Sequence, residues 1–260
     1  MCITPYQSAV EQIQDFIKFS EKHVVKFHIV PDIGYYYTGE QPIVEHVGKM
    51  PVFALRNIPL NYAHQAVIKR CIDILLSSIA IVVLFPVLFP ILSILIKLSS
   101  PGPIFFVQQR TGKRGENFNC YKFRTMRCSG DADTMQATAN DNRKTRIGAF
   151  LRKTSLDELP QLFNVWIGNM SLVGPRPHML KHTNEYSPKV DKYMVRHFIK
   201  PGITGLAQVS GFRGETKEIE LMEERIRADI YYVENWTLKM DLEIMAKTAL
   251  SILKGDERAC

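Results

Sequence analysis

The chain has 260 residues, 46% of them hydrophobic, and a formal charge of +7. That length holds one large domain, or a medium domain with an appendage, and the ordinary apolar fraction excludes a polytopic transporter. The basic balance favours anionic partners such as nucleotides, phospholipid headgroups or nucleic acid, although a merely solvated cationic face gives the same number.

Cysteine usage narrows the chemistry. Cys2, Cys71, Cys120, Cys128 and Cys260 form no C-x-x-C pair and no His/Cys cluster, which speaks against a zinc site and a disulfide framework. An odd number of scattered cysteines fits a reducing compartment. No cleavable signal peptide is expected, because the first 20 residues lack an apolar core and carry acidic groups.

Residues 1–60 read as a partial Rossmann-like α/β module. Val10, Ile13, Phe16 and Ile17 recur at helical spacing, Val24 to Val30 reads as a strand, and Val52 to Leu55 as a second. No glycine-rich loop precedes the helix, so a dinucleotide fingerprint is absent, and the segment has too little core to stand alone.

Residues 61–100 are expected to enter a membrane. From Ile74 to Ile96 the chain carries no charge, long enough to cross roughly 30 Å of hydrocarbon as one helix. Pro86 near the middle removes a helix hydrogen bond, and Pro90 adds to the disruption; Ser77 and Ser78 can help satisfy the freed backbone groups. Lys69 and Arg70 stand before the segment, and Lys97, Arg110, Lys113 and Arg114 after it, so the positive-inside rule keeps both ends in the cytoplasm. A re-entrant hairpin that breaks at Pro86 and returns satisfies all of this. A single bitopic helix and a buried core helix are the alternatives. Asp73 is expected at headgroup depth, paired with Lys69 or Arg70.

Residues 101–260 read as a small α/β domain. Ile104 to Val107 and Phe118 to Phe123 are strands, with the basic, glycine-bearing loop Gln109 to Gly115 between them. Residues 129–145 form a long polar loop, and Leu159 to Val165 a helix with Leu162, Phe163 and Val165 inward. His182 to His197 reads as a solvated helix, and Pro201 to Gly211 as a tightly packed loop and strand. From Ile219 to Leu253 the pattern is helical. Its stripe of Trp236, Leu238, Met240 and Leu242 is either core or an amphipathic face lying in the membrane interface.

Chemistry concentrates in two stretches. In Leu151-Arg152-Lys153-Thr154-Ser155-Leu156-Asp157-Glu158-Leu159-Pro160-Gln161, two cations precede two adjacent carboxylates. Ser155 and Glu158 match a capping box, but Pro160 would then fall where a helix hydrogen bond is needed. The functional reading makes Asp157 a nucleophile toward phosphorus, with Glu158 moving protons or orienting a partner, and a nearby Mg²⁺ and Arg152 able to keep the pair ionised. Neighbouring carboxylates cannot easily flank a sugar, which argues against a glycosidase pair. In Ser171-Leu172-Val173-Gly174-Pro175-Arg176-Pro177, prolines fix the backbone around Arg176. Such an arginine suits bidentate contact with phosphate; a salt-bridged loop arginine is the plainer reading. Arg152 and Lys153, and Arg110 and Arg124 from the basic loops, are further candidate phosphate ligands.

Taken together, these motifs resemble the bacterial sugar transferase family, the monotopic polyprenyl-phosphate phosphoglycosyl transferases. The matching pieces are Lys69-Arg70-x-x-Asp73, the proline-interrupted helix at Pro86, Gly102-Pro103-Ile104-Phe105-Phe106 and Lys122-Phe123-Arg124-Thr125-Met126. Leu151 to Gln161, Ser171 to Pro177 and Gly202-Ile203-Thr204-Gly205-Leu206-Ala207-Gln208 complete them in order. Asn169 departs from the pattern, where an acidic residue is common.

The resemblance implies a re-entrant membrane helix and a catalytic domain on the cytoplasmic face of the bacterial inner membrane. It implies transfer of a sugar-1-phosphate from a UDP-sugar to undecaprenyl phosphate with release of UMP, opening exopolysaccharide, capsule or O-antigen synthesis. Asp157 would be the nucleophile and a ligand of Mg²⁺, the cofactor, and membrane phospholipids would be further partners; whether the chain forms a homo-oligomer stays open. Residues 1–60 resemble the end of the Rossmann-like module of the longer members. A catalytically inactive membrane scaffold is the competing class. No nucleic acid is expected, since the apolar segment has no use in a nucleic-acid binder.

Overall fold

The structure is a computed structural model that describes residues 43–47, 50–54, 56–128, 141–212, 214 and 219–254. Two compact units divide at Asn57 and Ile58. In the first, β1 (Ile43–Val47) pairs antiparallel with β2 (Met50–Ala54), Ile43 opposite Ala54 and Val47 opposite Met50. β2 covers most of the strand expected at 52–55, and β1 was not anticipated. The helix around Val10 to Ile17 and the strand at 24–30 lie outside the described residues.

The second unit opens with α1 (Ala63–Ser99), 37 residues of helix that continue through both Pro86 and Pro90. The expected break at Pro86 is therefore corrected: the described helix is one element, not two. A proline deletes one N–H and bends a helix without having to end it. Here the adjoining residues are held down on both sides of the lesion. The Phe85 ring meets Phe163 edge-on at 4.7 Å, and the Phe89 ring stacks on Phe105 at 5.7 Å. Ser77 donates to the Ile74 carbonyl at 3.2 Å, so it does not serve the carbonyls that the prolines free.

One stripe of α1 packs on the rest of the unit: Lys69, Asp73 and Ser77 near its start, Leu92 and Ile96 near its end. The opposite side exposes Leu75, Val82, Val83, Val87, Ile94 and Leu98. Length and composition suffice for this helix to cross a membrane.

β3 (Phe105–Thr111) and β4 (Asn117–Phe123) form an antiparallel hairpin, Phe105 opposite Phe123 and Thr111 opposite Asn117. α2 (Arg146–Lys153) starts where the Thr145 hydroxyl accepts the Gly148 N–H at 2.9 Å, an N-cap in the usual sense. Leu151 carries α2 into a core with Phe123, Leu92 and Ile96, which ties it to α1. α3 (Gln161–Ile167) follows, with Val165 fully buried against Cys120 and Met170.

Short parallel strands β5 (Ser171–Val173) and β6 (Gly202–Thr204) pair Ser171 with Gly202 and Val173 with Thr204. Their backbones are so close that a Cβ on Gly202 would stand 2.1 Å from the Gly174 nitrogen. Between them lie α4 (Leu180–Tyr186) and a 3-10 turn at Tyr193–Phe198. The solvated helix expected at 182–197 is wrong for its second half: Tyr193, Arg196 and His197 are buried. α5 (Leu206–Val209) leads to α6 (Ile219–Asn235) and α7 (Leu238–Lys254). Trp236 between the last two is core, packed with Tyr232, Val233 and Ile244, while Leu242 is exposed.

Candidate active site

Asp157 and Glu158 occupy a 3-10 turn, Leu156–Glu158, wedged between α2 and α3. Ser155 enters it in the left-handed region at φ 55°, and its side chain makes no capping bond. The capping box is thus absent. A non-glycine residue held in this conformation costs about 1–2 kcal/mol, strain of the kind that collects at functional turns. Pro160 stands just before α3 with φ −62°, where its missing N–H does no harm. Both carboxylates are buried.

The two acids have opposite surroundings. Glu158 Oε1 takes Lys122 Nζ at 2.7 Å and Arg176 Nη2 at 2.6 Å, and Oε2 takes Arg176 Nη1 at 3.3 Å. Burial alone would raise its pKa, but Arg176 and Lys122 outweigh it and hold Glu158 well below the usual carboxylate range. Asp157 makes no hydrogen bond or ion pair among the described residues. Burial pushes its pKa up to about 6 and the charge of Glu158 adds to that; Lys122, Arg152 and Arg176 pull the other way.

Arg176 sits in a segment whose carbonyls are each engaged from residue 175 to residue 178. The Pro175 carbonyl accepts from Gly202 N at 2.9 Å, Arg176 O from Arg196 Nη2 at 2.5 Å, and Pro177 O from Arg110 Nη1 at 2.9 Å. His178 O accepts from Thr111 N at 3.2 Å. With prolines on both sides, the arginine is presented from a rigid backbone. Its guanidinium forks onto Glu158, so the salt-bridged reading holds, within the site itself.

Of the other expected site residues, Arg152 belongs here: its Nε donates to Thr125 Oγ1 at 2.9 Å, and its charge acts on Asp157. Arg110 lies behind Arg176, holding Pro177 O and Gln108 Oε1; burial and the neighbouring Arg176 charge lower its pKa. Lys153 is exposed at the end of α2, and is not among the principal charges acting on Asp157.

Three expectations need correction. Arg124 is no phosphate ligand: it donates to Ser100 O at 2.6 Å, Pro101 O at 3.0 Å and Ile96 O at 3.3 Å, capping the C-terminus of α1. Lys69 does not face headgroups but is buried, with Nζ 2.7 Å from Asp241 Oδ2. Arg70 donates to the Val165 and Trp166 carbonyls at 2.5 and 2.7 Å, capping α3. Asp73 likewise pairs with neither cation; its Oδ1 accepts from Ser171 Oγ and Leu172 N, both at 3.0 Å. Unsatisfied carbonyls at helix ends attract cations, and burial obliges each charge to find a partner.

Lys122 is the site residue that motif reading overlooked, although strand alternation places Phe123 in the core and Lys122 on the other face. No cluster of three or more His, Cys, Asp or Glu side chains exists among the described residues. A site for Mg²⁺ does not require one. The ion binds through one or two carboxylates and completes its shell with phosphate oxygens and water. Asp157, a buried carboxylate whose side chain has no protein partner among the described residues, fits that donor set, whereas Glu158 already holds two cations.

A sequence profile described as bacterial sugar transferase matches residues 64–255. The chain belongs to the bacterial sugar transferase family. Among relatives, a UDP-glucose:undecaprenyl-phosphate glucose-1-phosphate transferase of Xanthomonas campestris is 42% identical over 246 residues, 94% of this chain and 50% of the relative. A transferase of the same name from Caulobacter vibrioides is 43% identical over 84% of this chain and 86% of its own length. A UDP-N-acetylgalactosamine-undecaprenyl-phosphate N-acetylgalactosaminephosphotransferase of Aeromonas hydrophila is 38% identical, over 90% of this chain and 53% of the relative. This family member spans about half the length of the Xanthomonas relative.

Proposed function

We propose that the chain transfers a sugar-1-phosphate from a UDP-sugar to undecaprenyl phosphate and releases UMP. The observation that carries this reading is the unpartnered, buried Asp157 beside a Glu158 fixed by Lys122 and Arg176. A carboxylate oxygen of Asp157 attacks the sugar-bearing phosphorus, the bond to the bridging oxygen breaks, and UMP departs. An oxygen of undecaprenyl phosphate then attacks the same phosphorus, forming the diphosphate and returning Asp157 as carboxylate. Arg176, Arg152 and Lys122 neutralise the phosphoryl oxygens. Because Glu158 is held ionised between two cations, its role is to orient them rather than to carry protons. Bound at Asp157, Mg²⁺ supplies further neutralisation of the transferring group.

The same reading places the protein at the cytoplasmic face of the bacterial inner membrane, with α1 entering and leaving on one side. Supporting this, Lys69 and Asp73 near one end of α1 and Ile96 and Ser100 near the other all contact one folded unit. Exposed Trp166 and Ile167 beside Arg70, and Leu242 and Leu250 on α7, suit contact with the lipid interface. The product would initiate an exopolysaccharide or related surface glycan.

UMP release by detergent-purified protein with Mg²⁺, undecaprenyl phosphate and a panel of UDP-sugars tests the reading, UDP-glucose first because several relatives carry that name. Lipid-dependent UMP that disappears in Asp157→Asn supports it. Equal UMP from the variant removes Asp157 as nucleophile, and no UMP from any donor favours a scaffold.

A further inference from the structure

Arg196 heads the fully buried side chains of the described structure by volume, on a turn that sequence reading assigns to solvent. Its Nη2 stands 2.9 Å from Asp229 Oδ2 on α6, the two side chains only 1% and 2% exposed. The same nitrogen donates to the Arg176 carbonyl at 2.5 Å. Nη1 lies 2.7 Å from His178 Nδ1 and 2.8 Å from its Nε2, and Nδ1 is 2.6 Å from the Tyr193 hydroxyl. Desolvating an ion pair this deeply is seldom the cheapest route to stability; apolar residues of equal volume often do as well or better.

The geometry at Arg176 shows what the pair accomplishes. Pro175 fixes its own φ and Pro177 confines Arg176 to the extended region, and a hydrogen bond from Arg196 then holds the Arg176 carbonyl within that region. That carbonyl points at Arg196. A planar guanidinium, charge-paired with Asp229 and packed on the His178 ring, has its Nη2 N–H directed at that carbonyl. We propose that Arg196 is a positioning residue of the transfer reaction, locked by Asp229 so that the main chain of Arg176 keeps its guanidinium aimed at Glu158 and the donor diphosphate. This rests on the reading that Arg176 meets the donor.

The test uses the full chain in detergent. Arg196→Lys retains a charge for Asp229 but lacks the fork that reaches the carbonyl as well. Expected is a loss of about 10-fold or more in kcat/KM for UMP release, the scale on which misplaced catalytic groups act. Combined with Arg176→Ala, the lysine variant adds no further loss, and hydrogen exchange rises in the peptide covering residues 174–180. Losses that multiply in the double variant, or unchanged turnover in a folded Arg196→Lys protein, overturn the proposal. If Arg196→Lys does not fold, the paired replacement Arg196→Met with Asp229→Leu removes both charges and carries the same comparison. A wild-type chain that releases no UMP defeats the underlying reading instead; the exchange measurement then decides alone whether Arg196 pins the segment.

Discussion

At Asp157 and Glu158, neighbours in sequence acquire different chemistry from their contacts alone. Glu158 has two cations in hydrogen-bond range and stays ionised; Asp157 has none, and its pKa rises to about 6 through burial and the adjacent charge. Only the carboxylate form can attack phosphorus or take up Mg²⁺, so at limiting Mg²⁺ kcat/KM for UMP release should fall about tenfold per unit as pH drops below 6. A flat profile down to pH 5 at limiting Mg²⁺ would sink the assignment. The same shift bears on stability. The folded state keeps the Asp157 proton up to about pH 6, while the unfolded chain loses it near the ordinary 3.8. Folding therefore loses stability as pH rises between those values, and the full cost, on the order of 1–3 kcal/mol, is present above 6. Asp157→Asn should melt higher than wild type at pH 8, with the gap closing toward pH 4. An equal or lower melting temperature at pH 8 contradicts this.

Elements explain which of the charges singled out by motif reading come together. In Lys122-Phe123-Arg124 an extended strand would put both cations on one face, yet motif reading took only Arg124 for the site. β4 ends at Phe123, however, and Arg124 leaves the strand register to cap α1. Arg196 was hidden for a related reason. Its turn follows the charged stretch Lys189, Asp191 and Lys192, but the 3-10 period of three brings Tyr193 and Arg196 inward together. Asp157, Glu158, Arg176 and Arg152 were legible because their local sequence, with its prolines, already dictates where the chain must turn. The capping role of Arg124 is itself testable. Arg124→Met leaves the carbonyls of Ile96, Ser100 and Pro101 without this donor, at about 1–3 kcal/mol per buried group left unpaired. Urea or thermal unfolding of the variant should shift accordingly, while kcat per folded molecule changes little. Loss of kcat with unchanged stability would return Arg124 to the site.

For the whole molecule, the decisive constraint is where α1 begins and ends. At 1.5 Å per residue its 37 residues extend about 55 Å if straight, ample for a bilayer core of about 30 Å. Flanking cations already suggested that both ends stay on one side; the prolines suggested how, but bending does not require the helix to stop. Packing makes the stronger argument. Lys69 is tied to Asp241, and the last carbonyls of α1 to Arg124, and both partners belong to the unit that starts at Ile58. A bitopic helix would need those partners on opposite sides of the membrane, at the loss of a buried ion pair or of the cap. Single cysteines replacing the exposed His64 and Pro103, in a background without native cysteines, report on the two ends. A membrane-impermeant maleimide should label neither in intact spheroplasts and both after lysis. Labelling of one end alone in intact spheroplasts means the helix crosses, and the contacts at Lys69 and Arg124 could not both form in the membrane.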